Sequence, residues 1–486
     1  MRYGYGVRGV REAEGAVMAR SAEGALMQRA AAGLAAVCAD VLGRVYGSRV
    51  VVLTGSGSNG GDALFAGARL ARRGAGVTAV LLAPDRTHPE GLAALLAAGG
   101  RTATPEEGVA AVGRADLVLD GITGIGGKGG LRPDAATLAE AARHARAAVV
   151  AVDLPSGVDA DTGEVPGDAV HADVTVTFGT YKPALLIDPA AELAGALRLI
   201  DIGLGPDLGA PDVAALQHAD VAALLPRPGG ESDKYRRGVV GVAAGSERYP
   251  GAAVLAVSGA LRGGAGAVRY AGPGAEAVLA RHPETLVSPG SPRAAGRVQA
   301  WVVGPGLGDG ADAHTAVREV LASDVPALVD ADGLRLLTPE AVRGRTAPTV
   351  LTPHAGEAAA LLGWAREEVE ARRLHAVREL AARFGATVLL KGSTTLVAEP
   401  DGSDPVRVNP TGTAWLATAG SGDVLSGLTG SLLAAGLGPG DAASCGAYLH
   451  GLAARLAAGH PGGPLSALDV AEALPRAWRG VGETGS

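Results

Sequence analysis

Short apolar runs rich in Val and Leu alternate with amphipathic segments along most of the chain. The runs are typical of buried strands, and the segments between them have the apolar spacing of helices. After an opening helical pattern from about Arg11 to Leu42, the predicted strands are Arg49–Thr54, Val77–Ala83, Asp116–Asp120, Ala148–Asp153, Val174–Phe178 and Leu197–Ile202, with helices between them that include Gly61–Arg73 and Asp134–His144. This pattern predicts an α/β domain of the Rossmann-like, three-layer α/β/α type, in which helices cover both faces of a parallel sheet.

The alternation stops at Gly203–Gly238, which is rich in Pro and Gly, and then starts again. We therefore place a domain boundary near residue 210, with domains 1–210 and 211–486. The second series of strands is Val239–Ala244, Val268–Tyr270, Ala300–Val303, Ala327–Asp330, Thr349–Leu351 and Thr387–Leu390, with a hairpin at Thr395–Ala398 and Val406–Asn409 and long helices at Gly422–Ala435 and Ala442–Ala458. It predicts a second α/β/α domain.

Composition narrows the classes of function. The formal net charge is −7, so no basic surface for nucleic acid or an acidic membrane is expected. The two cysteines, Cys38 and Cys445, form neither a disulfide framework nor a metal-binding spacing. The N-terminus has no apolar signal region, and charges, Gly or Pro interrupt the long apolar runs. A cytoplasmic location is expected.

Three loops at strand ends carry the chemistry predicted for the first domain. They are Thr54–Asp62, which is glycine-rich and precedes a helix, Asp120–Gly129 and Asp153–Asp159. A glycine-rich turn into a helix suits a phosphate, although such turns also serve tight packing. This one lacks the Lys of a P-loop, so hydrolysis of a nucleoside triphosphate is not expected. In open α/β sheets ligands bind at the carboxyl ends of strands, where these loops can converge.

Oxygen-bearing side chains in these loops indicate two roles. Asn59, Asp120 and Ser156 suit a hard monovalent or divalent cation. Asp153 is left for proton transfer. The alternative is that each Asp forms a cap or a turn.

Several short motifs mark the second domain. Gly420-Ser421-Gly422 opens a helix, and its amides can bind a phosphoryl group in transfer. Asp423 can then take a proton from an attacking hydroxyl, although a helix cap is the alternative. His354, in Thr-Pro-His-Ala-Gly-Glu, lies at a predicted strand-to-helix turn facing the ligand edge, but it could also be a core histidine. Lys391-Gly392 ends a strand, as a pair that contacts phosphate would.

Together these motifs resemble the bifunctional NAD(P)H-hydrate repair enzymes. Asn-Gly-Gly-Asp at 59–62, Asp-Gly-Ile-Thr-Gly-Ile-Gly at 120–126 and Asp-Leu-Pro-Ser-Gly-Val at 153–158 are similar to the NAD(P)HX epimerase domain. Residues from about 212 to 476 resemble the ADP-dependent NAD(P)HX dehydratases, which have a ribokinase-like fold. The resemblance implies epimerisation of R- and S-NAD(P)HX, phosphorylation of the S-epimer's hydroxyl by ADP, and elimination of phosphate to restore NADH or NADPH.

The resemblance also implies residue roles in the first domain. Asp153 is implied to be catalytic, beside the nicotinamide end of the substrate. The other implied substrate contacts are Ser58, Asn59, Gly60, Gly61 and Asp62, and Gly124, Ile125, Gly126, Gly127, Lys128, Gly129 and Gly130. Asn59, Asp120 and Ser156 are implied to hold K⁺. The family usually has Asn in place of Ser58, which affects one substrate contact, and Gly in place of Ala63.

In the second domain the resemblance implies that Asp423 is the catalytic base. Ala253, Gly306, His354 and Asp423 would contact the hydrated cofactor, and Lys391, Gly392, Ser393, Thr394, Thr395 and Gly422 would contact ADP. Mg²⁺ is expected to bridge the nucleotide phosphates. The family commonly has His in place of Asp233 and Asn in place of Thr413, and neither departure removes a catalytic group.

Two alternatives remain at this point. One is a kinase of a small hydroxymethylated metabolite on the same fold, and the other makes the first domain a non-catalytic binding module. The expected partners are NADHX, NADPHX and ADP, with no nucleic acid and no membrane, and the chain is expected to form a homo-oligomer.

Overall fold

A computed structural model describes residues 1–288, 290–402 and 404–483. The chain divides into two compact units, one formed by residues 3–213 and one formed by the residues from 214 onward together with residues 1 and 2. This division falls inside the segment in which the sequence placed a boundary near residue 210.

The first unit is built on a parallel sheet. A short strand, β1 (Arg2–Gly4), lies outside this sheet. The strands of the sheet are β2 (Arg49–Thr54), β3 (Gly76–Leu81), β4 (Arg101–Ala103), β5 (Leu117–Gly121), β6 (Ala148–Val152), β7 (Val174–Phe178) and β8 (Ala196–Ile200), and the α-helices of the unit are α1 (Val7–Met18), α2 (Ala25–Leu42), α3 (Ser58–Arg72), α4 (Pro89–Ala97), α5 (Pro105–Val112), α6 (Pro133–His144) and α7 (Ala190–Leu193). The strand order is β4-β3-β2-β5-β6-β7-β8, with every pair parallel. The chain therefore reverses its direction across the sheet between β2 and β5, and crevices that bind ligands open at such points.

Apolar clusters lie on both faces of this sheet, as the runs of Val and Leu predicted. α2 and α3 pack with Val50, Val52 and Leu117 on one face, and α6 packs with Val51 and Val118 on the other. The three-layer α/β/α architecture is confirmed for this unit.

The second unit has a mixed sheet. Its strands are β9 (Val213–Ala215), β10 (Val239–Ala243), β11 (Ala267–Ala271), β12 (Leu286–Ser288), β13 (Ala300–Val303), β14 (Ala327–Val329), β15 (Thr349–Leu351), β16 (Thr387–Leu390), β17 (Thr395–Ala398) and β18 (Val406–Asn409), and its α-helices are α8 (His218–Leu224), α9 (Pro250–Arg262), α10 (Ala275–Arg281), α11 (Ala311–Leu321), α12 (Pro339–Arg343), α13 (Ala355–Leu362), α14 (Arg366–Ala371), α15 (Arg373–Phe384), α16 (Ser421–Ala434), α17 (Pro439–Ala458) and α18 (Ala467–Glu483). The central order is β18-β17-β16-β15-β14-β13-β10-β11-β12. The pairs from β16 to β12 are parallel, and the predicted hairpin adds β17 and β18 antiparallel. The direction in which the chain adds strands across the sheet reverses between β10 and β13.

The structure corrects two expectations about helices and linkers. The opening helix is interrupted after Met18, and α2 starts after Gly24, whose positive φ of 72° ends the intervening turn. The Pro/Gly-rich segment from Gly203 to Gly238 was expected to interrupt the alternation of strands and helices. It contains β9 and α8.

One helix of the described residues, α2, is long and apolar enough by length and composition to cross a membrane, with a mean hydropathy of 1.4. Core helices of globular proteins pass the same test. Ala31, Leu34 and Cys38 of this helix are fully buried within the first unit, and Leu34 and Cys38 belong to its apolar core.

Candidate active sites

The loops after β2 and β5 meet at the reversal point of the first unit. A Cβ on Gly55 would lie 1.9 Å from the carbonyl oxygen of Ile122, so a side chain at this position is sterically excluded. The Gly55 amide donates to the Gly121 carbonyl at 3.1 Å. α3 begins directly after this contact, at the exposed Ser58. The glycine-rich turn thus brings two of the three predicted loops together.

Asp120 and Ser156 join the second and third loops. The Ser156 hydroxyl donates to one Asp120 carboxylate oxygen at 2.6 Å, and the Ser156 amide donates to the other at 2.8 Å. Both residues are fully buried. Burial raises the pKa of Asp120 to about 6, although the hydrogen bonds from Ser156 and Ile122 oppose the rise. A buried anion held by neutral donors is a favourable place for a cation.

Asn59, the third residue proposed for this cation, lies beside the second loop. A Cβ on Gly124 would come 3.0 Å from the Asn59 side-chain oxygen. The Asn59 side-chain nitrogen is buried and has no hydrogen-bond partner. No group of three or more His, Cys, Asp or Glu side chains is arranged for a metal ion in the described part of the chain. A cation here would therefore depend on amide, hydroxyl and single carboxylate oxygens.

Asp153 lies at the end of β6 in a strained conformation. Its φ of 68° is unusual for a residue other than glycine, and such strain is concentrated at functional sites. Lys182 donates to its Oδ1 at 2.5 Å, and the Thr177 hydroxyl donates to the same oxygen at 3.0 Å. The Lys182 side chain is 1 % exposed. The catalytic carboxylate predicted from the sequence is thus half of a buried ion pair.

Two more carboxyl groups, those of Asp62 on α3 and Glu14 on α1, interact electrostatically with Asp153. Burial raises the pKa of Asp62 well above its ordinary value, and the charges of Asp153 and Glu14 add to the rise. Burial also raises the pKa of Glu14, where Lys182 opposes the effect and Asp153 adds to it. Asp62, Asp153 and Glu14 therefore belong to one electrostatic cluster.

The 124–130 segment is the outer part of this site. Gly126, Gly129 and Gly130 are exposed, Gly124 and Gly127 are half-buried, and Ile125 packs partly against the core. Lys128 is exposed and pairs with Asp159 at 2.7 Å and Asp161 at 3.4 Å. These pairs tie the segment to the loop that follows β6.

In the second unit, Asp423 lies in the first turn of α16. The N-cap is Gly420, and no side chain makes a capping hydrogen bond there, so Asp423 does not serve as the cap. Burial raises its pKa to about 7, with Asp330 contributing to the rise and Lys391 opposing it. A carboxyl group with a pKa near neutrality is suited to accept a proton.

Lys391 and Asp330 surround Asp423 at the carboxyl ends of β16 and β14. Lys391 Nζ donates to Asp330 Oδ1 at 2.7 Å, and Ser426 of α16 donates to Asp330 Oδ2 at 2.7 Å. A Cβ on Gly422 would lie 3.4 Å from Lys391 Nζ. Burial lowers the pKa of Lys391, but Asp330 and Glu357 outweigh it, so the pKa is raised and the amine stays cationic. The structure therefore brings Lys391, Gly422 and Asp423 together.

Arg373 of α15 supports the 391–395 segment. Its guanidinium donates to the carbonyls of Lys391 at 3.2 Å and Thr394 at 2.8 Å. Gly392 and Ser393 are exposed, Thr394 is buried, and Thr395 begins β17. Gly392 and Ser393 are thus exposed, while Arg373 holds the backbone on either side of them.

The remaining predicted contacts have different environments. His354 is exposed at the end of β15 and caps α13, because its Nδ1 accepts from the amides of Gly356 and Glu357. Gly306 follows β13 with a φ of 63°. The Ala253 side chain is fully buried in α9 and packs in the core.

Sequence reasoning missed Lys182, Arg373 and His450. His450 of α17 is buried and donates to the Ser421 carbonyl at 2.9 Å, which fixes the first turn of α16. Burial lowers its pKa to about 4, so the ring is neutral. Each of these residues acts on a position distant in sequence, and no local pattern marks it.

Comparison with known proteins finds two family models. Residues 23–184 match the YjeF-related protein N-terminus, and residues 240–476 match NAD(P)H-hydrate dehydratase. The chain is 52% identical over 468 residues to the bifunctional NAD(P)H-hydrate repair enzyme of Mycobacterium leprae, with 95% of each chain covered. It is 52% identical over 450 residues to the enzyme of that name from Mycobacterium tuberculosis, covering 91% of this chain and 92% of the relative.

The chain is also similar to solved structures. One of them is the ADP/ATP-dependent NAD(P)H-hydrate dehydratase of Bacillus subtilis, co-crystallised with ATP and Mg²⁺. The match has a TM-score of 0.50 and 31% sequence identity, and it covers 55% of this chain and 97% of that chain.

Proposed function

The chain belongs to the family of bifunctional NAD(P)H-hydrate repair enzymes, and we propose that its two sites act in succession on one damaged cofactor. The first unit interconverts R- and S-NAD(P)HX. The second dehydrates S-NAD(P)HX to NADH or NADPH at the expense of ADP, releasing AMP and phosphate. Together the two activities allow both epimers to be repaired.

The epimerase site lies at the reversal point of the first sheet. Asp153 acts beside the nicotinamide end of the substrate. The nucleotide contacts are assigned to residues 58–62 and 124–130, whose glycines and helix N-terminus allow close approach of phosphate groups. The ion pairs of Lys128 with Asp159 and Asp161 support this assignment, because they hold the outer loop in place.

A potassium ion fits the donor set of Asn59, Asp120 and Ser156. Asp120 is a buried carboxylate whose hydrogen bonds come from the neutral groups of Ile122 and Ser156. The side-chain amide nitrogen of Asn59 is buried and has no hydrogen-bond partner. If the amide oxygen and nitrogen exchanged places, the oxygen would take that position and could bind the ion. These oxygens would hold the ion, and its charge would favour a bound phosphate and stabilise Asp120 as an anion.

The dehydratase site joins Asp423, Lys391 and the N-terminus of α16. Asp423 takes the proton of the substrate hydroxyl as its oxygen attacks the β-phosphorus of ADP and AMP leaves. The amides of Gly420–Gly422 and the amine of Lys391 stabilise charge on the transferred phosphoryl group. Phosphate then leaves with the C–O bonding electrons, a ring proton is lost, and the dihydropyridine is restored.

The nucleotide would bring Mg²⁺ to this site. When bound, the ion would neutralise charge on the phosphates during transfer. The hard oxygen donors at this edge are the carboxylates of Asp330, Asp332 and Glu357, each of which acts electrostatically on Asp423. Use of ADP in preference to ATP rests on the resemblance to the family.

The observation that carries the proposal is the buried Asp423 beside Lys391 at the start of α16. A ribokinase-like kinase of a hydroxymethylated metabolite would use the same groups, so substrate identity decides between them. Purified protein is incubated with Mg²⁺ and either S-NADPHX and ADP or a hydroxymethylated vitamin precursor and ATP. We expect ADP-dependent NADPH formation. A phosphorylated precursor with no NADPH would overturn the proposal.

A cytoplasmic location and a homo-oligomeric state are further parts of the proposal. Size-exclusion chromatography with light scattering measures the second, and a monomer at micromolar concentration would contradict it.

A further inference from the structure

Two carboxyl groups of the first unit have contrasting surroundings. Asp153 is paired with Lys182, which donates to its Oδ1, and the amine's other hydrogen bonds go to Thr177 Oγ1 and the Phe178 carbonyl, both at 3.0 Å. The Phe178 amide lies 3.4 Å from the same carboxylate oxygen. One oxygen of Asp153 therefore accepts from an amine, a hydroxyl and a backbone amide.

Asp62 lacks such partners. Its side chain is 9 % exposed, and its Oδ1 is buried without a hydrogen-bond partner. A buried carboxylate without a partner is costly, whereas the protonated acid needs only a suitable acceptor. Asp62 is the fifth residue of α3, which follows the glycine-rich loop directly.

The charged groups around Asp62 favour its protonated form. Those that act on it are Asp153, at the end of β6, and Glu14, on α1, and both are acidic. Lys182 and Arg11 act on Glu14. Lys182 forms its ion pair with Asp153. Contrasting environments of this kind separate the roles of two neighbouring carboxyl groups in several enzymes.

We propose that Asp62 is the proton donor of the epimerase and Asp153, held by Lys182, is the proton acceptor. The inference rests on the proposed epimerase function of this unit and adds an acid to the base already assigned.

The reaction balances without a redox step. Hydration of the enamine places the hydroxyl on the carbon next to the ring nitrogen. Asp62 gives its proton to that hydroxyl, the C–O bond breaks, and water leaves while the nitrogen lone pair forms an iminium ion. Water then adds to the opposite face, Asp153 takes its proton, and the C–O bond forms again. Proton exchange with solvent returns Asp62 to its acid form and Asp153 to its carboxylate.

The test is the pH profile of R-to-S conversion by the full-length protein, corrected for spontaneous epimerisation. Wild type should give a bell, because activity needs ionised Asp153 and protonated Asp62. Asp62→Asn should lower kcat on the order of 10²-fold or more and remove the alkaline limb. Lys182→Met should lower kcat as well, because Asp153 loses the amine that holds its carboxylate in place. Asp134→Asn, on the exposed start of α6, is the matched control.

Dehydration of S-NADPHX by the same samples verifies that each variant is folded and active in the other unit. An Asp62→Asn enzyme with wild-type kcat, or with a raised KM and an intact alkaline limb, would overturn the inference and leave Asp62 as a binding residue. If wild type itself did not epimerise, the proposed function would fail instead, so the two failures are distinguishable.

Discussion

Burial sets the chemistry of Asp423. An exposed aspartate is ionised at neutral pH and is a weak base, whereas burial beside Asp330 raises the pKa of Asp423 to about 7. Lys391 opposes the rise, and the carboxyl group titrates near neutrality. The free base is therefore stronger than an ordinary carboxylate at the pH where it must act.

The dehydration rate should consequently fall as pH drops below about 7, as Asp423 becomes protonated. Stability changes in the opposite direction. A raised pKa means that the folded protein binds the proton more tightly, so this residue's contribution to the free energy of unfolding is lost as pH rises from about 4 to about 7. Asp423→Asn should gain stability relative to wild type over that interval. Denaturant titrations at both ends measure the difference, and a constant difference would contradict the assignment.

A second residue-scale prediction concerns Asp120. Its burial without a cationic hydrogen-bonding partner predicts that epimerase activity depends on potassium and that Asp120→Asn removes this dependence. Asp116→Asn is the control, because Asp116 directly precedes the same strand, at the opposite end from Asp120, and pairs with Arg49 at the surface. Activity is measured in potassium and in lithium buffers, with anomalous scattering for the ion. Full activity and no bound ion without potassium would refute the role.

At the scale of elements, each site depends on loops that meet at the carboxyl ends of neighbouring strands. Gly55 permits the contact between the loops after β2 and β5, and Gly304 has the same function after β13, where a Cβ would lie 1.9 Å from the Asp330 carbonyl oxygen. Both contacts involve backbone atoms, which cannot rotate away as a side chain can. These glycines are structurally required, unlike many others in a chain with 75 of them.

Gly55→Ala should therefore destabilise the first unit by about 1–3 kcal/mol, the usual cost of overpacking, and reduce epimerisation. Gly15→Ala on α1 is the control. A Cβ there meets nothing within 4 Å, and alanine is the better helix former. Chemical denaturation measures both variants. Equal stability of the two would show that the loops separate without cost.

The elements also show what could be predicted from the sequence. Runs such as Arg49–Thr54 and Val174–Phe178 coincide with β2 and β7, because an apolar run bounded by turn residues has few other stable conformations. Three-residue strands such as Arg101–Ala103 carry too little pattern to be recognised. The ion pair of Lys182 with Asp153 joins positions 29 residues apart, and a lone lysine gives no sign that it is buried. The capping role of His354 was missed for the same reason, since it depends on the orientation of one ring.

At the scale of the whole molecule, the chain consists of two compact units, each with its own sheet and core. We predict that fragments 1–210 and 211–486 fold and act separately, because domains with complete cores are usually autonomous. A cut after residue 210 keeps β9 intact in the second fragment. Circular dichroism and separate assays measure the outcome. If both fragments are insoluble while the full chain folds, the division is wrong.

The central claim is that one chain repairs both epimers through two different sites. It is tested most directly by the end point of NADPH formation from a mixture of R- and S-NADPHX with ADP, Mg²⁺ and K⁺, read before spontaneous epimerisation contributes. Wild type should convert the whole mixture, and Asp153→Asn should convert only the S fraction. Asp423→Asn should bind ADP and still epimerise, but should dehydrate on the order of 10²–10⁴ times more slowly. Complete conversion by Asp153→Asn, or a normal rate with Asp423→Asn, would contradict the account.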